Sequence, residues 1–494
     1  MKDIQKDCLR ISRAIRNRIS LRMVSTISGR ADMGTEIHEE CGVFGCFRVK
    51  HAAEVTYYAL HAMQHRGQEG CGIVTADGKN LVGHRNYGLV KEVFDQKQLD
   101  RLKGDYSIGH VRYSTTGASH LSNIQPFLYY HSTGDFALCH NGNIVNSSIL
   151  REEFEKNGSI FQSTSDSEIL AHLITRKNYG TRTDALKEGL KRLEGGFAFL
   201  VLTKDKLYAM RDRYGLRPLS LGKMGDGYVV SSETCAFDVI GAEFIRDIKP
   251  GEIIKINDQG ITSEFYSESC YDKMCAMEYI YFSRPDSDIN GINIHLSRKE
   301  CGRRLAKECP CQADIVIGVP DSSLSAANGY SEESGIPLET GLIKNKYMGR
   351  TFIEPSQELR ERGVKMKLSP IRSVIKGKRV VVIDDSIVRG TTSRQIVQML
   401  REQGATEVHM RIASPPMIAP CFYGVDTSTY DELISAYKSV DEVCRIIGAD
   451  SLGYLSKEGM LQAIGAKDLC MACFDSHYPT PLYEDIKNAN KNNK

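Results

Sequence analysis

No stretch of the 494-residue chain approaches the ~20 consecutive apolar residues that a bilayer-spanning helix needs. The apolar core of a secretory signal is also missing behind Met1. Charge of one sign is missing too: 64 Lys and Arg stand against 62 Asp and Glu, a formal net of +2. Bulk electrostatics therefore give no pull toward nucleic acid or membrane. The string GxxxxGK[ST] does not occur, which excludes a Walker nucleotide site. One local stretch lacks acid: Cys8 to Ala31 holds six arginines and several serines but no Asp or Glu. Three readings of residues 1–40 are open. They are an organellar transit peptide, a start extended beyond a true initiator at Met33, or a disordered tail.

What the chain has is length and cysteine. At about 100–200 residues per domain, 494 residues make two to four domains with a sizeable core. Fifteen cysteines, an odd number, are scattered along it, unlike a compact disulfide scaffold. Such usage points to a reducing compartment, where cysteines are buried, catalytic or metal-bound. The expected location is cytoplasmic, or an organelle if residues 1–32 are a transit peptide.

In the first half, CGVFGCFRV (41–49) alternates like a strand. Residues 55–65 have helical spacing, with Val55, Tyr58, Ala59 and Ala62 on one side. RGQEGCGIVTADG follows with a glycine-rich start, an apolar run and a D-G turn. Further strands are predicted in SIGHVRYSTTG, FALCHNGNIV, FAFLVLTKDKLYAMRD and GYVVSSE, with helices around 165–177 and 184–193. This mixture predicts sheets covered by helices.

Polar residues sit at the borders of these elements. Arg112 follows a strand and can fork onto a carboxylate. Asn141 and Gly142, in HNGN, can offer a side-chain amide and a backbone N–H to an oxyanion. Asp166, in TSDSE, can hold an ammonium group or cap the helix after it. Each, taken singly, also fits a turn, a cap or a surface pair. Together with ECGVFG, LHAMQHRGQEGCGI and DRYGLRPL, they resemble the N-terminal-nucleophile glutamine amidotransferase domain, from Cys41 to about Ser267. The resemblance implies an αββα sandwich, removal of residues 1–40, and Cys41 as the first residue. The new α-amino group, with a reference pKa of about 8, would take the proton of its own thiol. By the same resemblance Arg112 and Asp166 bind glutamine, and Asn141 with Gly142 forms the oxyanion hole.

In the second half, RVVVIDDSIVRGTT (379–392) reads as a buried parallel strand ending in Asp384 and Asp385. A loop through Ser386, Arg389 and Gly390 leads to Thr391, Thr392 and a helix with Ile396, Met399, Leu400 and Gln403 at helical spacing. Gly404 reads as its C′ residue, and EVHMRIAS supplies the next strand. Such a βαβ unit carries its polar loop at the strand's C-terminal edge, where α/β sheets bind ligands. N–H groups at the helix start, with the hydroxyls of Ser386, Thr391 and Thr392, can hold a phosphate. The two carboxylates can hold ribose hydroxyls or approach Mg²⁺. A strand-end acidic pair before a Thr-capped helix is the plain alternative. The whole string resembles the phosphoribosyl-pyrophosphate signature of type I phosphoribosyltransferases. That implies an α/β domain binding this substrate through Asp384 to Thr392, Arg389 and Gly390 included. It also implies that Ser322, in ADIVIGVPDSS, joins Asp384 and Asp385 at the metal. A mobile flap is implied in GLIKNKYMGRTFIEPSQELRERGVKMKL, with Lys344, Lys346 and Arg350 toward the pyrophosphate.

The order of the halves is similar to the amidophosphoribosyltransferase family in its iron–sulfur form, from Cys41 to about Tyr478. The resemblance implies an α/β and α+β chain in four parts. Residues 1–40 are a propeptide, 41–267 the amidotransferase domain, 268–455 the phosphoribosyltransferase domain, and 456–494 a C-terminal segment with a C-x-x-C. It implies the first committed step of purine synthesis. Glutamine hydrolysis at Cys41 supplies ammonia, which displaces pyrophosphate from phosphoribosyl pyrophosphate to give 5-phosphoribosylamine. Mg²⁺, purine nucleotide inhibitors and a homotetramer are implied as well.

The motif CMAC, Cys470 to Cys473, is by itself a zinc half-site, a redox pair or neither, because C-x-x-C does not recur. The clustered family members carry cysteines in segments that here hold Cys275, Cys421, Cys470 and Cys473. Four thiolates fit a [4Fe–4S] centre, with a Cys₄ zinc site as the alternative. Cys46, Cys309 and Cys311 have no matching role and read as structural. Two other functions are weighed. A sugar-phosphate-aminating amidotransferase conflicts with DDSIVRGTT. A substrate-sensing regulator needs a DNA-binding segment, and no basic helix-turn-helix is evident.

Overall fold

The computed structural model describes residues 41–113, 120–176, 179–345, 368–425, 427 and 429–480. The expected propeptide, and Lys346 and Arg350 of the expected flap, lie outside these residues.

The first half is two antiparallel sheets packed face to face between layers of helix. The strand Gly42–Phe47 lies inside a seven-stranded sheet, between Tyr106–Arg112 and Gly227–Ser231. The second sheet has six strands, with Phe136–Ile144 paired to Gly195–Thr203 near its middle. Val43 and Phe47 from the first sheet meet Cys139, Leu200 and Ala209 from the second in one wholly buried core. This is the alternation expected of inner faces in a sandwich. The helix Ala52–Ala62 covers the outside of the first sheet, and Glu168–Thr175 with Arg182–Leu190 covers the second.

Two details differ from the sequence reading. The helix buries Ala52, Ala53, Thr56, Ala59, Leu60 and Ala62, whereas Tyr58 is 56% exposed. The cause is Gly109 beneath it, where a Cβ would stand 2.5 Å from Thr56 Cγ2. The helix approaches so closely that its small face, not its large one, turns inward. The segment 197–212 is not one strand. It breaks at a hairpin between Gly195–Thr203 and Leu207–Arg211, where the Thr203 N–H donates to the Lys206 carbonyl at 2.8 Å.

The second half is built on four parallel strands, ordered Ile315–Gly318, Arg379–Asp384, Glu407–Ile412 and Ser451–Tyr454. Val380 and Val382 pack with residues of the helices Thr391–Glu402 and Val440–Ile447. Val381 and Ile383 pack on the other side with Leu305, Ala326 and Tyr330. Coverage of both faces is why this strand reads as an unbroken apolar run. Gln403 lies just past the helix as its last cap, and Gly404 takes a positive φ of 93°. No helix among the described residues is long and apolar enough to cross a membrane.

Candidate active site

Cys41 precedes the first strand directly. Its thiol lies against the main chain of Tyr113, donating to the carbonyl and accepting from the N–H, both at 3.4 Å. Burial pushes the thiol up to about 11, the Tyr113 N–H and Arg112 pull it down, and Glu69 with Asp166 adds to the push. The thiol is therefore protonated at neutral pH and needs a base to become a nucleophile.

Two of the other expected residues, Arg112 and Asp166, act electrostatically on the thiol, and Asn141 and Gly142 stand together on the strand Phe136–Ile144. Arg112, buried at the end of its strand, donates through Nη1 to Glu69 Oε1 at 2.7 Å. Its Nη2, with Glu69 Oε2, has no hydrogen-bond partner among the described residues. Asp166 does not cap the helix Glu168–Thr175. Its carboxylate instead accepts the Ile144 N–H at 2.8 Å and faces the hydroxyls of Ser165 and Ser167 at 3.5 and 3.3 Å. Asn141 is wholly buried, its Nδ2 donating to Ser232 Oγ at 3.4 Å while Oδ1 has no partner among the described residues. Gly142 has φ 134°, and a Cβ there would lie 2.0 Å from the Gly196 carbonyl, so only glycine fits. The sequence reading did not pick out Glu69, Ser232 or Tyr113. Their roles arise from strand pairing, which local motifs do not report.

In the second half, the loops after two neighbouring parallel strands meet. Ser322 donates to Asp385, and Ser323 donates to Asp384 at 3.2 Å. Ser386 donates to Asp385 at 2.7 Å, and the Asp385 N–H donates to Asp384 at 3.0 Å. Gly390, at φ 76°, turns the chain into the helix that begins at Thr391 and Thr392. Arg389 pairs with Glu432 at 2.6 Å, and Lys344 with Asp321 at 2.9 Å. A cavity beside the carboxylates is lined by Ser322, Ser323, Asp385, Tyr279, Ile280 and Arg298. Arg298, which the sequence reading missed, is buried. Burial draws its guanidinium down to about 10 against the pull of Asp385, so it stays charged at neutral pH.

A glutamine amidotransferase domain model matches residues 110–239, and a phosphoribosyl transferase domain model matches residues 293–413. Amidophosphoribosyltransferase of Bacillus subtilis (strain 168) is 56% identical over 456 residues, covering 91% of this chain and 96% of that one. Amidophosphoribosyltransferase of Staphylococcus aureus (strain Mu50) is 53% identical over 456 residues, covering 91% and 92%. The chain belongs to the amidophosphoribosyltransferase family. A solved structure of glutamine phosphoribosylpyrophosphate amidotransferase from B. subtilis, complexed with ADP and GMP, superposes with a TM-score of 0.86 at 55% identity, over 90% of this chain and 98% of that one. The reaction is thus the glutamine-dependent amination of phosphoribosyl pyrophosphate, in purine biosynthesis.

The four singled-out cysteines also lie near one another. Cys275 and Cys470 form a parallel bridge, with the Ala276 N–H donating to the Cys470 carbonyl at 3.1 Å. The Cys473 carbonyl accepts from Ile418 and Ala419 at 2.8 and 3.1 Å, which brings in the segment carrying Cys421. Burial, then the nearness of Cys275, Cys421 and Cys470, pushes the Cys473 thiol well up. No group of three or more His, Cys, Asp or Glu side chains among the described residues is arranged to hold a metal ion. Cys46 is buried against Ser107 at 3.0 Å, and Cys309 donates to the Tyr454 carbonyl at 3.5 Å.

Proposed function

We propose that Cys41 is the nucleophile of the glutaminase half-reaction, working as the first residue of a chain from which residues 1–40 have been removed. The carrying observation is a thiol cradled by the Tyr113 main chain within the fields of Arg112 and Asp166. In an uncut chain the nitrogen of Cys41 is an amide and cannot serve as a base. A free α-amine, with a pKa of about 8, can take the thiol proton. Sulfur then bonds the side-chain carbon of glutamine, the C–N bond breaks, and the amine's proton leaves with ammonia. Water hydrolyses the thioester to glutamate. Arg112 Nη2, without a partner among the described residues, receives the glutamine carboxylate, and Asp166 its ammonium. For the oxyanion, the Gly142 N–H is joined by the side-chain amide of Asn141.

Ammonia attacks C1 of phosphoribosyl pyrophosphate over the Asp384–Asp385 loop, and pyrophosphate leaves. Main-chain N–H groups around Gly390, Thr391 and Thr392 hold the 5-phosphate, Ser386 and Arg389 brace the loop, and Lys344 and Arg350 serve the pyrophosphate. Mg²⁺ characteristically takes one or two carboxylates plus substrate phosphates, and Asp384, Asp385 and Ser322 fit that need. Bound there, it neutralises the departing pyrophosphate.

Cys275, Cys421, Cys470 and Cys473 hold a [4Fe–4S] centre that pins the C-terminal segment. A Cys₄ zinc site is the metal alternative, since four thiolates also suit zinc, and the iron or zinc content of the purified protein decides between them. The domain bounds at residues 41, 268 and 456, purine nucleotide inhibitors, a homotetramer and a cytoplasmic location complete the reading. The ADP and GMP bound in the B. subtilis relative support the inhibitors.

Mass spectrometry of the active protein tests the core of this reading, with Cys41 expected as the first residue. Full glutamine-dependent activity in a chain that keeps residues 1–40 overturns it. Cys41→Ala should abolish glutamine use and spare ammonia-dependent synthesis, and equal loss of both also overturns it.

A further inference from the structure

An ion network with no exposed side chain joins the two halves behind Cys41. Arg66 Nε donates to the Cys41 carbonyl at 3.1 Å. Arg66 Nη1 donates to Glu233 at 2.7 Å and to Glu278 Oε2 at 2.9 Å, and Nη2 donates to Glu278 Oε1 at 2.8 Å. Arg217 Nη1 reaches Glu278 at 3.5 Å, and Ser283 Oγ donates to it at 2.8 Å. The side chains of Arg66, Arg217, Glu233 and Glu278 all have zero exposure. His65, one-quarter exposed, adds a contact to Glu233 at 2.8 Å. Burial opposes ionisation of Glu233, yet His65 and Arg66 hold its carboxyl below the usual range.

Two buried arginines against two buried carboxylates balance in charge, but balance does not make such a network a strong stabiliser. Well-packed apolar side chains commonly do as well, because the ions give up their hydration. What the network supplies is position. A guanidinium forked onto one carboxylate has a fixed plane. Arg66 is fixed in this way, and its remaining Nε points at the carbonyl of the nucleophilic residue. Gly67 closes the same corner: a Cβ there would stand 2.6 Å from the Arg112 main chain, the residue before Tyr113. Glu278 also opens the short helical segment Glu278–Phe282, whose Tyr279 and Ile280 line the cavity beside Ser322 and Asp385.

We propose that Glu278, a residue of the transferase half, is a positioning residue for the glutaminase. It holds Arg66, and through it the Cys41 main chain, in the geometry for attack. This rests on the reading of Cys41 as the nucleophile. The glutamine site is then complete only when the transferase half is docked on it.

The test is Glu278→Gln in the full chain, with glutamate release and ammonia-dependent synthesis measured on the same preparation. A displacement of ~1 Å costs up to about 10²-fold in rate. The expected result is a fall of about 10- to 100-fold in kcat for glutamine, an unchanged glutamine KM, and unchanged ammonia-dependent synthesis. Alkylation of Cys41 by iodoacetamide should slow in parallel with kcat. Equal loss of both activities marks a merely structural role and overturns the proposal, as does a rise in KM with kcat kept, or no change. If Glu278→Gln does not fold, Ser283→Ala, which loosens the carboxylate without changing charge, should lower glutamine kcat alone, and its failure to do so overturns the proposal. Glutamine-dependent activity surviving in Cys41→Ala would instead overturn the nucleophile reading, whatever Glu278 does.

Discussion

Arg112 binds Glu69 through one terminal nitrogen, at 2.7 Å, and leaves the other without a partner among the described residues. Glu69 Oε2 is in the same state. Buried donors and acceptors are seldom left unmade, because each lost partner costs about 1–3 kcal/mol. A carboxylate of the kind glutamine carries at its main-chain end would satisfy the nitrogen, in keeping with the proposed binding of the ammonium at Asp166. Arg112→Lys keeps the charge but loses the fork. One charged hydrogen bond, about 1.5–3 kcal/mol, is then missing. Glutamine kcat/KM should fall roughly 10- to 100-fold, with ammonia-dependent synthesis unchanged. Steady-state kinetics with the two nitrogen donors check this, and a parallel fall in both would place Arg112 outside the glutamine site.

His110 makes the first half sensitive to acid. It is fully buried, and its Nε2 meets the His140 carbonyl at 3.1 Å, so that nitrogen carries the proton and donates. Burial lowers its pKa to about 3, with Arg112 and His140 adding to the effect against the His140 carbonyl. In the unfolded chain the same imidazole titrates near 6.5. Between these values only the unfolded state binds the proton. Its contribution to stability is present above about pH 6.5 and is lost as pH falls toward 3, at ~1.4 kcal/mol per pH unit. His110→Gln removes that proton. The thermal midpoints of wild type and variant should converge as pH drops from 6.5 to 4.5. Midpoints that stay parallel would show that His110 is not held neutral.

Some of this could be read along the chain and some could not. Val380 to Ile383 announced a strand covered on both faces because every position is apolar, and the two aspartates after it marked the loop. Cys41 stood out by its string. Tyr58 misled because helical spacing counts apolar size, whereas Gly109 on a distant strand selects the small face. Arg66 and Glu278 are 212 residues apart, and each sits in a segment that reads locally as turn or helix. Their pairing is a product of how the halves dock, which no local period encodes. Asp166 offered two local readings, and its bond from the Ile144 N–H sets aside the helix cap.

The cysteine set predicts a metal content. Cys473 is buried, and its carbonyl ties down Ile418 and Ala419. Cys473→Ser keeps those main-chain bonds and removes one sulfur ligand. Protein purified without oxygen should carry the four irons of a [4Fe–4S] centre, and the variant should lose most of them and melt at a lower temperature. Zinc in place of iron in the wild type would make the Cys₄ zinc alternative correct. Unchanged iron in the variant would remove Cys473 from the ligand set.

Asp384 separates the two chemistries from the other side. It is nearly buried, yet it accepts Ser323 and the Asp385 N–H on the same oxygen, Oδ1. Asp384→Asn has the same shape, so the loop can keep its turn, but the carboxylate that would meet a ribose hydroxyl or Mg²⁺ is gone. Both glutamine- and ammonia-dependent synthesis should fall, by about 10²-fold or more if the metal's charge stabilisation at the leaving pyrophosphate is lost. Glutamate release measured without the second substrate should persist, because Cys41 and its partners are untouched. The Mg²⁺ concentration giving half-maximal synthesis should rise. Normal synthesis with an unchanged Mg²⁺ requirement would exclude Asp384 from the metal and the sugar alike, and would return the aspartate pair to the plain role of closing a strand.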